Sequence, residues 1–158
     1  MLKTLKILLI EDDPLEQWAQ KDMWAHHLDS PEFTVYERAE SLFQKENVGD
    51  HDLALIDLDL EARRKGFEVL RFLKDRHPHL FCVIVSGARD SESVRKAYDI
   101  GADDYLVKPL SQKGLKQLIK SLQHLRQGGS SHSEGLPEGI FENEGPLLIE
   151  GETGTGKT

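Results

Sequence analysis

The sequence predicts an α/β fold: a doubly wound, five-stranded parallel sheet with helices on both faces. Three observations carry that expectation. Short runs of apolar, mostly branched residues recur between Ile7 and Val107 without polar alternation, as in strands covered on both faces. Stretches of helical period lie between them, giving the alternation of βαβ units. Four of the runs also close on polar residues, Glu11-Asp12, Asp57, Ser86 and Lys108. In a parallel sheet ligands sit at the carboxyl ends of the strands, so these four tips are expected to converge.

The elements follow in order. Ile7 to Ile10 reads as the first strand. Asp13-Pro14 starts a helix, with a capping carboxylate and proline at the first helical position. That helix is expected to run to about Leu28 and to bury Leu15, Trp18, Ala19 and Met23. A short strand, Phe33 to Tyr36, precedes a helix from Ala39 to Lys45. The third strand, Leu53 to Ile56, ends at Asp57, and a helix from Phe67 to Asp75 is stopped by His77-Pro78. Phe81 to Val85 is the fourth strand, Ser91 to Ile100 the fourth helix with Gly101 as its cap, and Tyr105 to Val107 the fifth strand. Leu115, Leu118, Ile119, Leu122 and Leu125 form the stripe of a final amphipathic helix.

The composition narrows the function. The chain has 158 residues and a formal charge of −8, room for one ordinary domain and a fragment of another. A net negative chain lacks the clustered cations that neutralise nucleic-acid phosphates, so no direct nucleic-acid binding is expected. Its apolar runs are too short to span a bilayer and no leader peptide is visible, which gives no membrane association and a cytoplasmic location. Cys82 lies within an apolar run and reads as a core thiol. The seven histidines show no metal-ligand spacing and are expected at the surface. Residues 127–144 are polar and glycine-rich at their start, as in a flexible linker, and six of the chain's glutamates fall after residue 126.

The converging tips specify a chemistry. Glu11, Asp12 and Asp57 crowd three carboxylates, which repel one another unless a hard cation neutralises them; Mg2+, an oxygen-seeking ion, suits them. Asp57 is placed to act as a nucleophile toward phosphorus, with Lys108 absorbing negative charge on the transferring group. Ser86 offers a hydroxyl, and the small Gly87 and Ala88 leave room for phosphoryl oxygens.

These residues stand in four motifs: Ile-Leu-Leu-Ile-Glu11-Asp12-Asp13-Pro, Leu-Ala-Leu-Ile-Asp57-Leu-Asp-Leu, Val-Ile-Val-Ser86-Gly-Ala and Gly101-Ala-Asp-Asp-Tyr105-Leu-Val-Lys108-Pro109. Together they resemble the receiver domain of bacterial two-component response regulators, over about residues 4 to 126. The resemblance implies a flavodoxin-like receiver with strand order 2-1-3-4-5, occupying residues 1–126. It implies that Asp57 accepts a phosphoryl group from a histidine kinase. Asp12 would then be a direct magnesium ligand, Glu11 a helper through water, and Asp59 a donor of its backbone carbonyl. Ser86 would follow the phosphoryl group and Tyr105 would turn inward as the switch. The face made by the fourth helix, fifth strand and fifth helix would change and support a phosphorylation-dependent homodimer. Lys108-Pro109 matches the family's lysine-proline pair, usually a cis peptide. One departure stands out: Glu61 occupies the usual proline position, and Gly66 comes nine residues after Asp57 rather than eight. The loop Asp59 to Lys65 is therefore longer and charged. The Asp59 side chain is open to three readings: assisting the metal, repelling the phosphoryl group, or facing water.

Residues 145–158 carry a second motif, a strand and then Gly151-Glu-Thr-Gly-Thr-Gly-Lys-Thr158, the pattern of a phosphate-binding loop. Gly151, Gly154 and Gly156 would turn amides toward phosphates, Lys157 would reach the terminal phosphates and Thr158 would hold magnesium. Receiver, linker and this loop together resemble the front of an enhancer-binding transcriptional activator with an AAA+ ATPase, so the chain is read as a fragment of a longer gene product. Without the following helix, acidic strand, sensor and arginine, the loop is not expected to hydrolyse ATP, and no enzyme activity is expected. Two alternatives remain: a receiver-like interaction module indifferent to phosphorylation, and a fragment of a P-loop ATPase.

Overall fold

The computed structural model describes residues 4–45, 48–62 and 64–128. The chain divides into two units, Met1–Ile119 and Lys120–Thr158; the sheet and the acidic residues at its edge lie wholly in the first. Its strands are β1 (Lys6–Ile10), β2 (Glu32–Tyr36), β3 (Leu53–Asp57), β4 (Phe81–Ser86) and β5 (Asp104–Val107). The helices are α1 (Pro14–Ala25), α2 (Ala39–Phe43), α3 (Gly66–Arg76), α4 (Ser91–Ile100) and α5 (Gln112–Gly128). All pairings are parallel and the sheet order is β2-β1-β3-β4-β5.

The apolar runs occupy the three central strands, where both faces are buried. Leu8, Ile10, Ala54, Ile56, Cys82 and Ile84 pack in one cluster with Leu42, Leu70, Leu73 and Ala97, from α2, α3 and α4. The alternate residues Ile7, Leu9, Leu53, Leu55, Val83 and Val85 are equally buried and point to the opposite face. The right-handed β1–α1–β2 crossover places α1 there, where Trp24 of α1 and Leu115 and Leu118 of α5 are buried. The edge strands β2 and β5 are only partly covered.

Register sets the site. Ile10 pairs with Ile56, Asp57 with Val85 and Ser86 with Val107, so Glu11, Asp57, Ser86 and Lys108 end neighbouring strands at one level. The Lys108 amide donates to the Ser86 carbonyl at 2.8 Å and the Leu58 amide to the Val85 carbonyl at 3.1 Å, which continues the ladder into the tips. Lys108-Pro109 is cis.

Two caps behave as the sequence indicates: Asp13 Oδ1 accepts the Leu15 amide at 2.9 Å and Gly101 ends α4 at φ 129°. The structure adds a third, Asp90, whose Oδ2 accepts the Ser93 amide at 2.9 Å. Gly66 has a different task. A Cβ built there would lie 2.5 Å from the Asp57 carbonyl oxygen and from Leu58 Cα, so α3 starts against the end of β3 only because residue 66 has no side chain. Gly66→Ala is expected to cost about 2 to 3 kcal/mol in urea denaturation; an unchanged midpoint would contradict this close approach.

Several expectations are corrected. Helix α1 stops at Ala25, and Leu15 and Trp18 are 70% and 64% exposed, while Gln20 and Trp24 are buried. The inward face is turned because α1 begins beside the acidic residues: Gln17 Nε2 donates to the Glu11 carbonyl at 2.7 Å and Gln20 Nε2 to Glu11 Oε1 at 3.5 Å. Polar side chains thus occupy positions that an apolar stripe would claim. Helix α2 ends at Phe43, short of Lys45. Helix α5 continues to Gly128, so residues 127 and 128 are helical rather than linker, and Leu125 on its stripe is exposed. His27, His51 and His77 are half-buried rather than on the surface. The rest of the linker, residues 129–144, and the strand and loop of 145–158 lie outside the described residues.

Candidate functional site

Glu11 and Asp57 are 1% and 6% exposed, an unusual depth for two carboxylates unless partners compensate. One carboxylate oxygen from each of Glu11, Asp12 and Asp57 falls within 4.8 Å of the others. Among the described residues this is the group of acids arranged closely enough to share a cation. Hard, anionic oxygens at that spacing fit Mg2+, which binds through one or two carboxylates and retained waters.

Lys108 partly supplies the missing positive charge. Its Nζ lies 3.3 Å from Glu11 Oε1, 3.4 Å from Asp57 Oδ1 and 3.6 Å from Glu16 Oε1. One ammonium against three carboxylates leaves the acids underpaired. Burial, reinforced by the Asp57 charge and opposed by Lys108, pushes the Glu11 carboxyl up to about 7. Burial likewise raises Asp57 against the pull of Lys108 and the Asp59 amide. Burial works against the Lys108 charge, but Asp57, Glu11 and Glu16 outweigh it and hold that ammonium above its ordinary range. The electrostatics therefore call for a further cation once both acids ionise.

Around this core each predicted side chain has a definite place. Asp12 is exposed at the rim, its Oδ2 accepting the Glu61 amide at 3.2 Å. The Asp59 amide donates to Asp57 Oδ1 at 3.1 Å, while the Asp59 side chain is exposed to solvent, with Oδ1 3.2 Å from Arg64 Nε. Ser86 is fully buried and its Oγ accepts the Ala88 amide at 3.0 Å. The half-buried Tyr105 donates its hydroxyl to the Ala88 carbonyl at 2.8 Å. Glu11, Asp12, Asp57 and Lys108 are thus brought together, with Ser86 and Tyr105 tied to the β4–α4 loop alongside. Gly151, Gly154, Gly156, Lys157 and Thr158 lie outside the described residues.

The sequence reading missed Gln17 and Gln20, which orient Glu11 from α1. The available signal was their spacing with Trp24, three and four residues apart on one helical face. It also missed the second task of Glu61. Its Oε2 accepts the Ala39 amide at 2.9 Å and its Oε1 lies 3.6 and 3.7 Å from Arg38 and Lys65, fastening the β3–α3 loop to the start of α2. A cavity of about 320 Å³ lies elsewhere, lined by Val48 to His51 and Arg76 to Leu80, before β3 and β4. No helix of the described residues is long and apolar enough to cross a membrane.

A sheet of this order with acids at two strand tips and a lysine at a third can be compared with known proteins. The family model of the response regulator receiver domain matches residues 7–120. The chain belongs to the response regulator receiver family. The receiver is 31% identical over 135 residues to the transcriptional regulatory protein CiaR of Streptococcus pneumoniae, covering 85% of this chain and 58% of that one. The chain is 27% identical, in an alignment of 165 positions, to the response regulator protein FleR of Pseudomonas aeruginosa, covering 96% of this chain and 34% of that one. The chain thus spans less than two thirds of these relatives. Among solved structures, a CheY-like receiver from Methanospirillum hungatei JF-1 superposes with a TM-score of 0.68 at 24% identity, covering 79% of this chain and 98% of the other; this likeness concerns the fold. The receiver is a module of phosphorelay signal transduction.

Proposed function

We propose that Asp57 is the phosphoacceptor, that Glu11, Asp12, Asp57 and the Asp59 backbone carbonyl hold Mg2+, and that the donor is a histidine kinase. The observation that carries this reading is the buried Asp57 carboxylate sharing one ammonium with Glu11 while Asp12 closes the acid group. Bound there, Mg2+ would supply positive charge to the oxygens of the transferring group. An Asp57 oxygen attacks phosphorus as the nitrogen–phosphorus bond to the kinase histidine breaks, which gives an acyl phosphate and a neutral imidazole after protonation. The Lys108 ammonium, 3.4 Å from Asp57 Oδ1, neutralises the new charge. The Ser86 hydroxyl, now an acceptor for Ala88, donates to a phosphoryl oxygen, and Tyr105 leaves the Ala88 carbonyl as that loop moves.

These contacts exist only in the phosphorylated arrangement, so they shift the population of the α4–β5–α5 face. That face is proposed to form a homodimer and to control an output such as transcription, from a cytoplasmic location. The chain acts as a phosphoacceptor that assists its own phosphorylation and dephosphorylation, not as an enzyme with a separate substrate. The loop pattern in residues 145–158 supports reading Gly151, Gly154, Gly156, Lys157 and Thr158 as an incomplete nucleotide loop of the kind found in AAA+ ATPases.

Acetyl phosphate with Mg2+ is expected to phosphorylate the chain, and excess EDTA to suppress the label by at least about tenfold. Equal labelling with and without the ion would remove the metal from the proposal. Sedimentation with beryllofluoride, a phosphoryl mimic, is expected to give a dimer, and a monomer at saturating mimic would remove the dimer.

A further inference from the structure

The β3–α3 loop holds two residues other than glycine in the left-handed region, Glu61 at φ 57° and Arg64 at φ 56°. Long side chains seldom adopt that backbone, which persists where the surroundings over-determine it and often marks a functional constraint. Both side chains are engaged, on opposite sides of the loop. Glu61 reaches α2. Arg64 reaches α4: its Nη1 donates to Ser93 Oγ at 2.7 Å while its Nε sits 3.2 Å from Asp59 Oδ1. Ser93 is buried in the first turn of α4, and its hydroxyl donates onward to Asp90 Oδ1 at 3.0 Å. One guanidinium therefore joins the cap of α4 to Asp59, whose amide donates to Asp57.

We propose that Arg64 is a positioning residue that couples the phosphorylation of Asp57 to α4, holding the first turn through Ser93 in the unmodified protein and releasing it when a phosphoryl group arrives. The inference rests on Asp57 being the phosphoacceptor. A phosphoryl group brings about −1.5 to −2 charge next to Asp59. It repels the Asp59 carboxylate and offers the guanidinium a doubly bonding, charged acceptor that outcompetes a neutral hydroxyl. Only a planar fork can hold Asp59 and Ser93 together in the resting arrangement; a lysine ammonium, a single point of charge, cannot span both. Arg64, Asp59 and Asp90 also act electrostatically on the Tyr105 hydroxyl, so a redistribution of this cluster is felt at β5.

The test is amide hydrogen exchange at Val94 and Arg95 in the full chain, for wild type, Arg64→Gln, Arg64→Lys, Ser93→Ala and the Arg64→Gln/Ser93→Ala double variant, with and without beryllofluoride and Mg2+. Acetyl phosphate labelling of the wild type is run in parallel. Without the mimic, Arg64→Gln is expected to speed exchange about fivefold, the size of one ordinary hydrogen bond, Ser93→Ala at least as much because it also loses the bond to Asp90, and the double variant no further than Ser93→Ala. With the mimic, the wild type is expected to exchange as fast as Arg64→Gln. Arg64→Lys is expected to behave as Arg64→Gln in both states. Additive single effects, full rescue by lysine, or wild-type protection that the mimic leaves unchanged while the label forms would each overturn the coupling and leave Asp57 as acceptor. A wild type that takes neither label nor mimic would overturn the phosphoacceptor reading and this inference with it.

Discussion

Asp57→Asn is expected to abolish phosphoryl incorporation and, at the same time, to make the metal-free protein more stable. The two effects have one cause. Asparagine matches the shape of aspartate, keeps an oxygen for the Asp59 amide that now donates to Oδ1 at 3.1 Å, and leaves Lys108 paired with Glu11 and Glu16. It removes the nucleophile, since a neutral amide oxygen does not attack phosphorus at a useful rate. It also removes one of two acids that burial holds above their ordinary range, and with it the Asp57 charge that raises Glu11 further, so a repulsion is lost from the fold. Label from acetyl phosphate is expected to fall below about one part in a hundred. Stability in EDTA at pH 8 is expected to rise by about 1 to 2 kcal/mol in urea denaturation. A variant that is unlabelled but destabilised would mean that Asp57 serves the fold and that the lost label is indirect.

The second large effect is on pH. Glu11 moves from an ordinary value of 4.5 to about 7 in the folded protein, and Asp57 is displaced in the same direction. Acids with folded values above their unfolded ones bind more protons when folded, so stability is present below the unfolded value and is lost as pH rises through the folded one. In EDTA the Glu11 contribution is expected to decline by roughly 2 to 3 kcal/mol between pH 4.5 and just above 7. Glu40, held low chiefly by its bond from Lys65, and Asp90, held low chiefly by the Ser93 amide, act with the opposite sign and only in more acid solution. Magnesium is expected to cancel the decline: at a hundred times its dissociation constant it adds about 2.7 kcal/mol, and it adds far less at pH 5, where protons compete for the same oxygens. A flat or rising EDTA profile across neutral pH, or an equal gain from magnesium at pH 5 and pH 8, would contradict the underpaired acid site.

What the sequence reveals here follows from the physics of each residue. The strands were legible because Ile7 to Ile10, Leu53 to Ile56 and Cys82 to Val85 must be apolar on both faces, and their polar tips were legible because register in a parallel sheet aligns strand ends. The inward face of α1 was not. Its buried positions include Gln20, which is polar because it faces Glu11, while Leu15 and Trp18 lie outside, and an apolar stripe cannot reveal a helix that packs on charge. The Asp59 to Lys65 loop showed its length and charge, yet which residue ties to what depends on the backbone turns at Glu61 and Arg64, set by contacts remote in sequence at Ala39 and Ser93. Tyr105 could be placed at the start of a strand, but the bond of its hydroxyl to the Ala88 carbonyl is a product of the β4–α4 loop.

All of this turns on which atom receives the phosphoryl group. An acyl phosphate is reduced by borohydride to an alcohol, so reductive trapping of the acetyl phosphate-treated chain followed by peptide mass spectrometry locates it directly. The expected result is a single homoserine at position 57, dependent on magnesium. Reduction at Asp12, Asp59 or any other acid, or phosphorylation that leaves residue 57 intact, would contradict the assignment of Asp57.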